Sequence, residues 1–248
     1  MKAKKGSRRV LFHAVLVAFV LVSWPVFSQA QASDPLTASL EAARRTRDES
    51  QLQLLKTQLD QRISQNPNDA RAQYQLAQVQ GYSADVYEMR KDKKSASAAI
   101  DKGIEAAQRS LQLDEKSAGT HSLLADLYGR KISLGNGMFA GPKYGPKIDE
   151  ENKRAMTLDD KNPRVWASLG RQYLMTPKMF GGDISKAVDS FQKSLTLDPQ
   201  QDETYVWLAK AYEKQGHKAK AREALQHALQ INPQSRFARE MSVALEMI

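Results

Sequence analysis

Apolar positions recur at spacings of three and four through most of the chain, the period of helices with one buried face. Near the C-terminus, Tyr205, Leu208, Ala209 and Tyr212 fall at i, i+3, i+4 and i+7. Gly216 marks a helix stop, Ala221, Leu225 and Ala228 mark a second helical face, and Pro233 closes the unit. Upstream, Trp166, Leu169, Gly170 and Tyr173 read W-x2-L-G-x2-Y, followed by Ala187, Phe191 and Ser194 and closed by Pro199, 34 residues before Pro233. Small residues at Gly170, Ala187, Ala209, Ala221 and Ala228 suit close helix approach, with the large ones filling the space beside them.

Further upstream the pattern decays but keeps its order. His121, Leu124, Ala125 and Tyr128 predict one first helix, with Ile148, Asn152 and Ala155 on its partner; Asn152 replaces a bulky apolar residue. Gln73, Leu76, Ala77 and Gln80 predict another, followed by Gly103, Ala107 and Ser110. Residues 36–64 predict one long charged helix started by Ser33-Asp34-Pro35, and Pro67 after Asn66 predicts a start like Pro163 after Asn162. Residues 234–247 predict a capping helix.

The matched positions resemble the tetratricopeptide repeat (TPR), strongly over 162–235 and more loosely over 66–248. The resemblance implies an all-α, right-handed TPR-like α-solenoid of about four helical pairs, preceded by a long N-terminal helix at 33–65 and closed by a capping helix. It also implies a concave groove lined by the first helix of each pair, which selects Tyr74, Gln78, Ser122, Asp126, Arg171 and Lys210 as candidate binding residues. Arg171 and Lys210 suit an acidic segment or a peptide carboxylate; as solvated surface charges they carry no such role. The chaperone-tail Lys/Asn set is not matched.

Spacing within the pairs is uneven. Tyr205 to Ala228 spans 23 residues, Trp166 to Ser194 28, His121 to Ala155 34 and Gln73 to Ser110 37. The extra residues fall between first and second helices and predict enlarged loops along one edge. Two of these share Met-Phe-small-Gly, at Met138-Phe139 and Met179-Phe180. Such pairs either contact a partner or tuck back onto the solenoid and pin the loops. The first insertion, Arg90-Lys91-Asp92-Lys93-Lys94, predicts a solvated helical extension. Trp166 is expected to be a buried anchor, and His121 to pack within a helix interface.

Composition narrows the chemistry. The 248 residues include no Cys, which removes disulfides, thiol nucleophiles and Cys-ligated zinc. No H-E-x-x-H, phosphate-binding loop, calcium loop or G-x-S-x-G elbow is present, so no catalytic residue, metal or cofactor is expected. The net charge is +9 from 37 Lys+Arg and 28 Asp+Glu, but five of the basic residues lie in residues 1–9. Residues 10–27 are almost wholly apolar, and Ser28 to Ala32 are small or amide residues ending in A-x-A. That order predicts a secretory signal peptide at 1–32, cleaved after Ala32 or, second, after Ala30, and a periplasmic protein. Without those five, 32 basic residues remain and a nucleic-acid partner loses its support. The alternative is an uncleaved anchor, because an 18-residue run is at the short end for a span.

The expected function is a non-enzymatic scaffold or adaptor of the bacterial cell envelope that binds a protein or peptide. Two alternatives stand: a small-ligand or transporter-associated periplasmic TPR protein, and a membrane-anchored chaperone-like protein if the leader is retained.

Overall fold

A computed structural model describes residues 34–246; residues 1–32, expected from the sequence to be a signal peptide, lie outside the described residues. Among the described residues there are eleven α-helices and no strand. They are α1 (Pro35–Thr46), α2 (Glu49–Gln65), α3 (Ala70–Met89), α4 (Lys93–Leu113), α5 (Ala118–Leu134), α6 (Gly137–Leu158), α7 (Pro163–Met175), α8 (Ile184–Leu197), α9 (Asp202–Lys214), α10 (Lys218–Ile231) and α11 (Arg236–Glu246). The pairs α3/α4, α5/α6, α7/α8 and α9/α10 stack in chain order, each against its neighbours, and α11 covers the last.

Short polar side chains set the helix starts. Asp48, Asp69, Asp92, Ser117, Asn136, Asn162 and Asp183 each accept a first-turn backbone N–H. Three boundaries depart from the periodic reading. The long N-terminal helix is two: Arg47 takes a left-handed conformation (φ 53°), and Asp48 accepts from Gln51 N to start α2. Pro67 lies in a turn, and α3 begins after Asp69. The enlarged loops are mostly helix. The first insertion lengthens α3 and α4 around a turn at Arg90–Asp92, as its composition suggested. The second, read as a Gly/Pro loop, forms the opening turns of α6, with Asn136 accepting from Met138 N. Only the third, between α7 and α8, is a loop, with one 3-10 turn at Lys178–Phe180.

The apolar core falls into layers. Phe191, Val206, Ala209, Ala221 and Leu225 belong to one cluster spanning α7 to α11. Ala77, Ile100, Leu124, Leu127 and Tyr128 belong to a second, from α3 to α6. In the last pairs the reason for Gly170 is visible: a Cβ there would lie 2.6 Å from the Phe191 ring, which is fully buried. Trp166 is only half-buried; its indole N–H donates to the Asp160 carbonyl at 2.6 Å, and Phe191 is the buried anchor instead.

Between α6 and α7 the contact is more polar. Buried Asn152 donates to Gln172 at 2.7 Å, and Gln172 also reaches Asp149. His121 is buried in its interface, as expected, with Nδ1 2.5 Å from Glu151 Oε2 and Nε2 3.0 Å from the Glu115 carbonyl. Two acceptors facing the two ring nitrogens favour the imidazolium. Burial alone would lower the His121 pKa, but the Glu151 carboxylate and the Glu115 carbonyl outweigh it and raise it.

Candidate functional site

The concave face is built from the first helices α3, α5, α7 and α9, and the chain itself occupies part of it. Helix α1 lays Leu40 and Ala43 against Leu52, Leu55, Leu59 and Val79. Its C-terminal end then carries three arginines to residues far along the chain. Arg44 Nη2 donates to Asp202 Oδ1 at 2.8 Å. Arg47 donates from Nη2 to Glu203 Oε1 at 2.6 Å and from Nε to Asp85 Oδ2 at 2.7 Å, with its guanidinium 4.4 Å from the Tyr82 ring centre. Asn232 closes the set, donating to Asp202 Oδ2 at 2.8 Å and to the Arg45 carbonyl at 3.3 Å.

The electrostatics follow from that packing. Burial raises the Glu203 carboxyl pKa, but the Arg47 and Arg44 guanidiniums outweigh it and hold it at about 2. Burial lifts the Tyr82 hydroxyl to about 12, against the pull of Arg164, which donates to Tyr74 Oη at 3.1 Å. Arg130 joins the same set through Asp85 (2.8 Å) and the Gly81 carbonyl (2.8 Å).

The expected groove residues therefore do not line an open trough. Gln78 and Ser122 are buried, while Tyr74, Asp126, Arg171 and Lys210 are half-buried. Arg171 is already paired, donating from Nε to Asp126 Oδ1 at 2.9 Å, where Ser168 Oγ also donates at 2.9 Å. Lys210 lies 5.2 Å from the Trp207 ring centre, its pKa lowered by burial and by Lys214. Sequence reasoning missed Arg44, Arg47, Asp202 and Glu203. The available signal was the basic cluster Arg44-Arg45-x-Arg47 set before Asp48, a strong helix-start residue.

The second candidate surface is the end of the stack bearing the within-pair turns. Met138 (78% exposed) and Phe139 (76%) stand on the first turn of α6, and Met179 (82%) and Phe180 (71%) on the turn before α8. Neither pair tucks onto the solenoid. Gly181, at φ 94°, and Gly182, where a Cβ would lie 1.8 Å from the Thr176 carbonyl oxygen, fix that second turn in place.

An open depression of about 430 Å³ between α6 and α7 is lined by Asp149, Asn152, Lys153, Gln172 and their neighbours. Among the described residues, no three His, Asp or Glu side chains are grouped to hold a metal ion, and no helix is long and apolar enough to cross a membrane.

The profile of the family described as regulator of microtubule dynamics protein 1-3 matches residues 37–176, more than half of the chain. The chain belongs to that family. A tetratricopeptide-repeat profile matches residues 181–241, the region of α8 to α11. A search of curated proteins finds no match. Among solved structures, a thermophilic TPR protein of Thermus thermophilus superposes with a TM-score of 0.65 at 17% identity, over 85% of this chain and 98% of that one. MamA follows at TM-score 0.40 and 17% identity, over 77% and 93% of the two chains. PilF of Pseudomonas aeruginosa gives 0.40 and 19%, over 65% and 63%. With the all-helical architecture, the first of these likenesses makes the fold a TPR-type solenoid.

Proposed function

We propose that the chain is a non-enzymatic adaptor of the bacterial cell envelope whose concave face holds a helical segment of a protein partner. One observation carries this reading: the face already receives a helix. Seated in cis, α1 sets Arg44 and Arg47 on Asp202, Glu203 and Asp85. A partner helix with basic residues at matching turns would meet the same acceptors once α1 yields. The leader-like order of residues 1–32 supports the envelope setting. The depression between α6 and α7 is open rather than roofed, which gives the small-ligand alternative little support.

The test is photo-crosslinking from Lys210 in intact cells, comparing the native chain with an Arg44→Gln/Arg47→Gln variant. The reading predicts a discrete protein adduct that grows when α1 is loosened. No adduct in either chain would overturn it. The family name points to a second form of the same reading, a cytoskeletal partner; co-sedimentation of the chain with assembled microtubules would favour that form over an envelope protein.

A further inference from the structure

The two ends of the stack differ in charge and in apolar exposure. Helices alternate in direction, so the four within-pair turns share one end and the between-pair turns share the other. At the between-pair end, residues 114–117 and 159–162 read Asp-Glu-Lys-Ser and Asp-Asp-Lys-Asn, and Asp69 and Asp198 lie in the equivalent turns. No large exposed apolar residue lies in those turns.

The within-pair end is the reverse. Residues 137–148 hold Met138, Phe139, Lys143 and Lys147 and no acid; residues 176–183 hold Lys178, Met179 and Phe180 and one acid, Asp183, whose carboxylate is occupied capping α8. The flanking turns are basic as well. Residues 90–94 carry four cations around Asp92, whose carboxylate is occupied capping α4, and residues 214–220 carry three lysines and a histidine with no acid. Four large apolar side chains, more than two-thirds exposed, thus project from a field of lysines. A protein core would leave such side chains covered.

We infer that this end is a docking surface for an anionic lipid bilayer, with the two Met–Phe pairs entering the interfacial layer and the lysines facing lipid phosphates. Charge complementarity selects this occupant, because exposed apolar tips set among lysines, with Arg90 the one of these cations paired to a carboxylate (Glu49), suit the boundary between acyl chains and anionic headgroups. Half-buried Tyr144 fits it too, with the Lys143 amine 5.1 Å from its ring centre. Pro142 and Pro146 within α6 supply no N–H to the Met138 and Pro142 carbonyls, so the helix start bearing the first pair is less firmly bonded and freer to adjust to a surface. The inference is independent of the concave-face reading, since the docking end leaves that face uncovered.

The absence of Cys makes single-site labelling clean. An environment-sensitive fluorophore is placed in the full-length chain at Met179→Cys or, as the opposite-end control, at Asp160→Cys. Both positions are exposed, so neither label disturbs the core. The readout is local, so attachment of the chain through residues 10–27 does not mimic it. With vesicles of phosphatidylcholine and phosphatidylglycerol in equal parts, the label at 179 is expected to brighten and shift to the blue, and the label at 160 to stay aqueous. Half-saturation should need about fivefold more lipid for each cation neutralised, in Lys178→Gln and Lys178→Gln/Lys218→Gln. Four results would overturn the inference: an aqueous label at 179 on anionic vesicles, an equal response to pure phosphatidylcholine, an equal response at 160, or a response to added envelope protein but not to lipid, which would make this end a protein-docking surface.

Discussion

Between α7 and α8, Phe191 lies fully buried against Gly170, two residues of one repeat. Between α1 and α9, Arg44 reaches Asp202, a residue 158 positions away. The first contact is apolar, local and set by side-chain volume. The second is charged, distant and set by ion pairing across the concave face. The repeats supply their own cohesion through nearest-neighbour packing, while the occupation of the concave face depends on a handful of arginines. The first kind of contact resists pH and salt; the second responds to both.

The largest effect should come from breaking the apolar side. Phe191→Ala would leave a cavity at the centre of the last pairs and cost ~3–5 kcal/mol, read as a lowered denaturation midpoint. Arg47→Ala comes next. It removes one of two ionic partners from Asp85 and from Glu203, which keep Arg130 and Arg44, so the loss should be about 1–2 kcal/mol. Proteolysis should then cut within α1 before the repeats open.

Acid sharpens the comparison further. The Glu203 pKa is about 2, below its ordinary 4.5, so its stabilising contribution is complete above 4.5 and is lost as the pH falls toward 2. Circular dichroism and α1 proteolysis across that range should show α1 released before the Phe191 core melts. His121 has the opposite sign. Its pKa is raised above 6.5, so its contribution is complete below 6.5 and is lost as the pH climbs through the raised value. His121→Gln should flatten that alkaline decline in thermal stability, the smallest of these effects.

The repeat architecture was legible because close helix packing leaves a periodic mark. W-x2-L-G-x2-Y located α7, and Gly170 meets Phe191 for the steric reason the pattern encodes. Size alone misled at Trp166, whose indole N–H needs a polar partner and finds it at the Asp160 carbonyl near the surface. Glycines and prolines hid the start of α6, because Gly137, Pro142 and Pro146 read as a loop while Asn136 caps a helix through them. The concave face was the least legible part. An ion pair between residues 44 and 202 has no period, and only the folded chain brings its two halves together. The exposed Met–Phe pairs were visible as a motif, but whether they were covered depended on the turn geometry imposed by Gly181 and Gly182.

The central claim is that the chain's own α1 occupies the concave face through its arginines. Hydrogen exchange across residues 36–46 tests it most directly, in the native chain and in Arg44→Gln/Arg47→Gln. The account predicts protected α1 amides in the native chain and exchange at least about tenfold faster in the variant, with α9 and α10 unchanged. Amides of α1 that exchange as fast in the native chain as in the variant would contradict it.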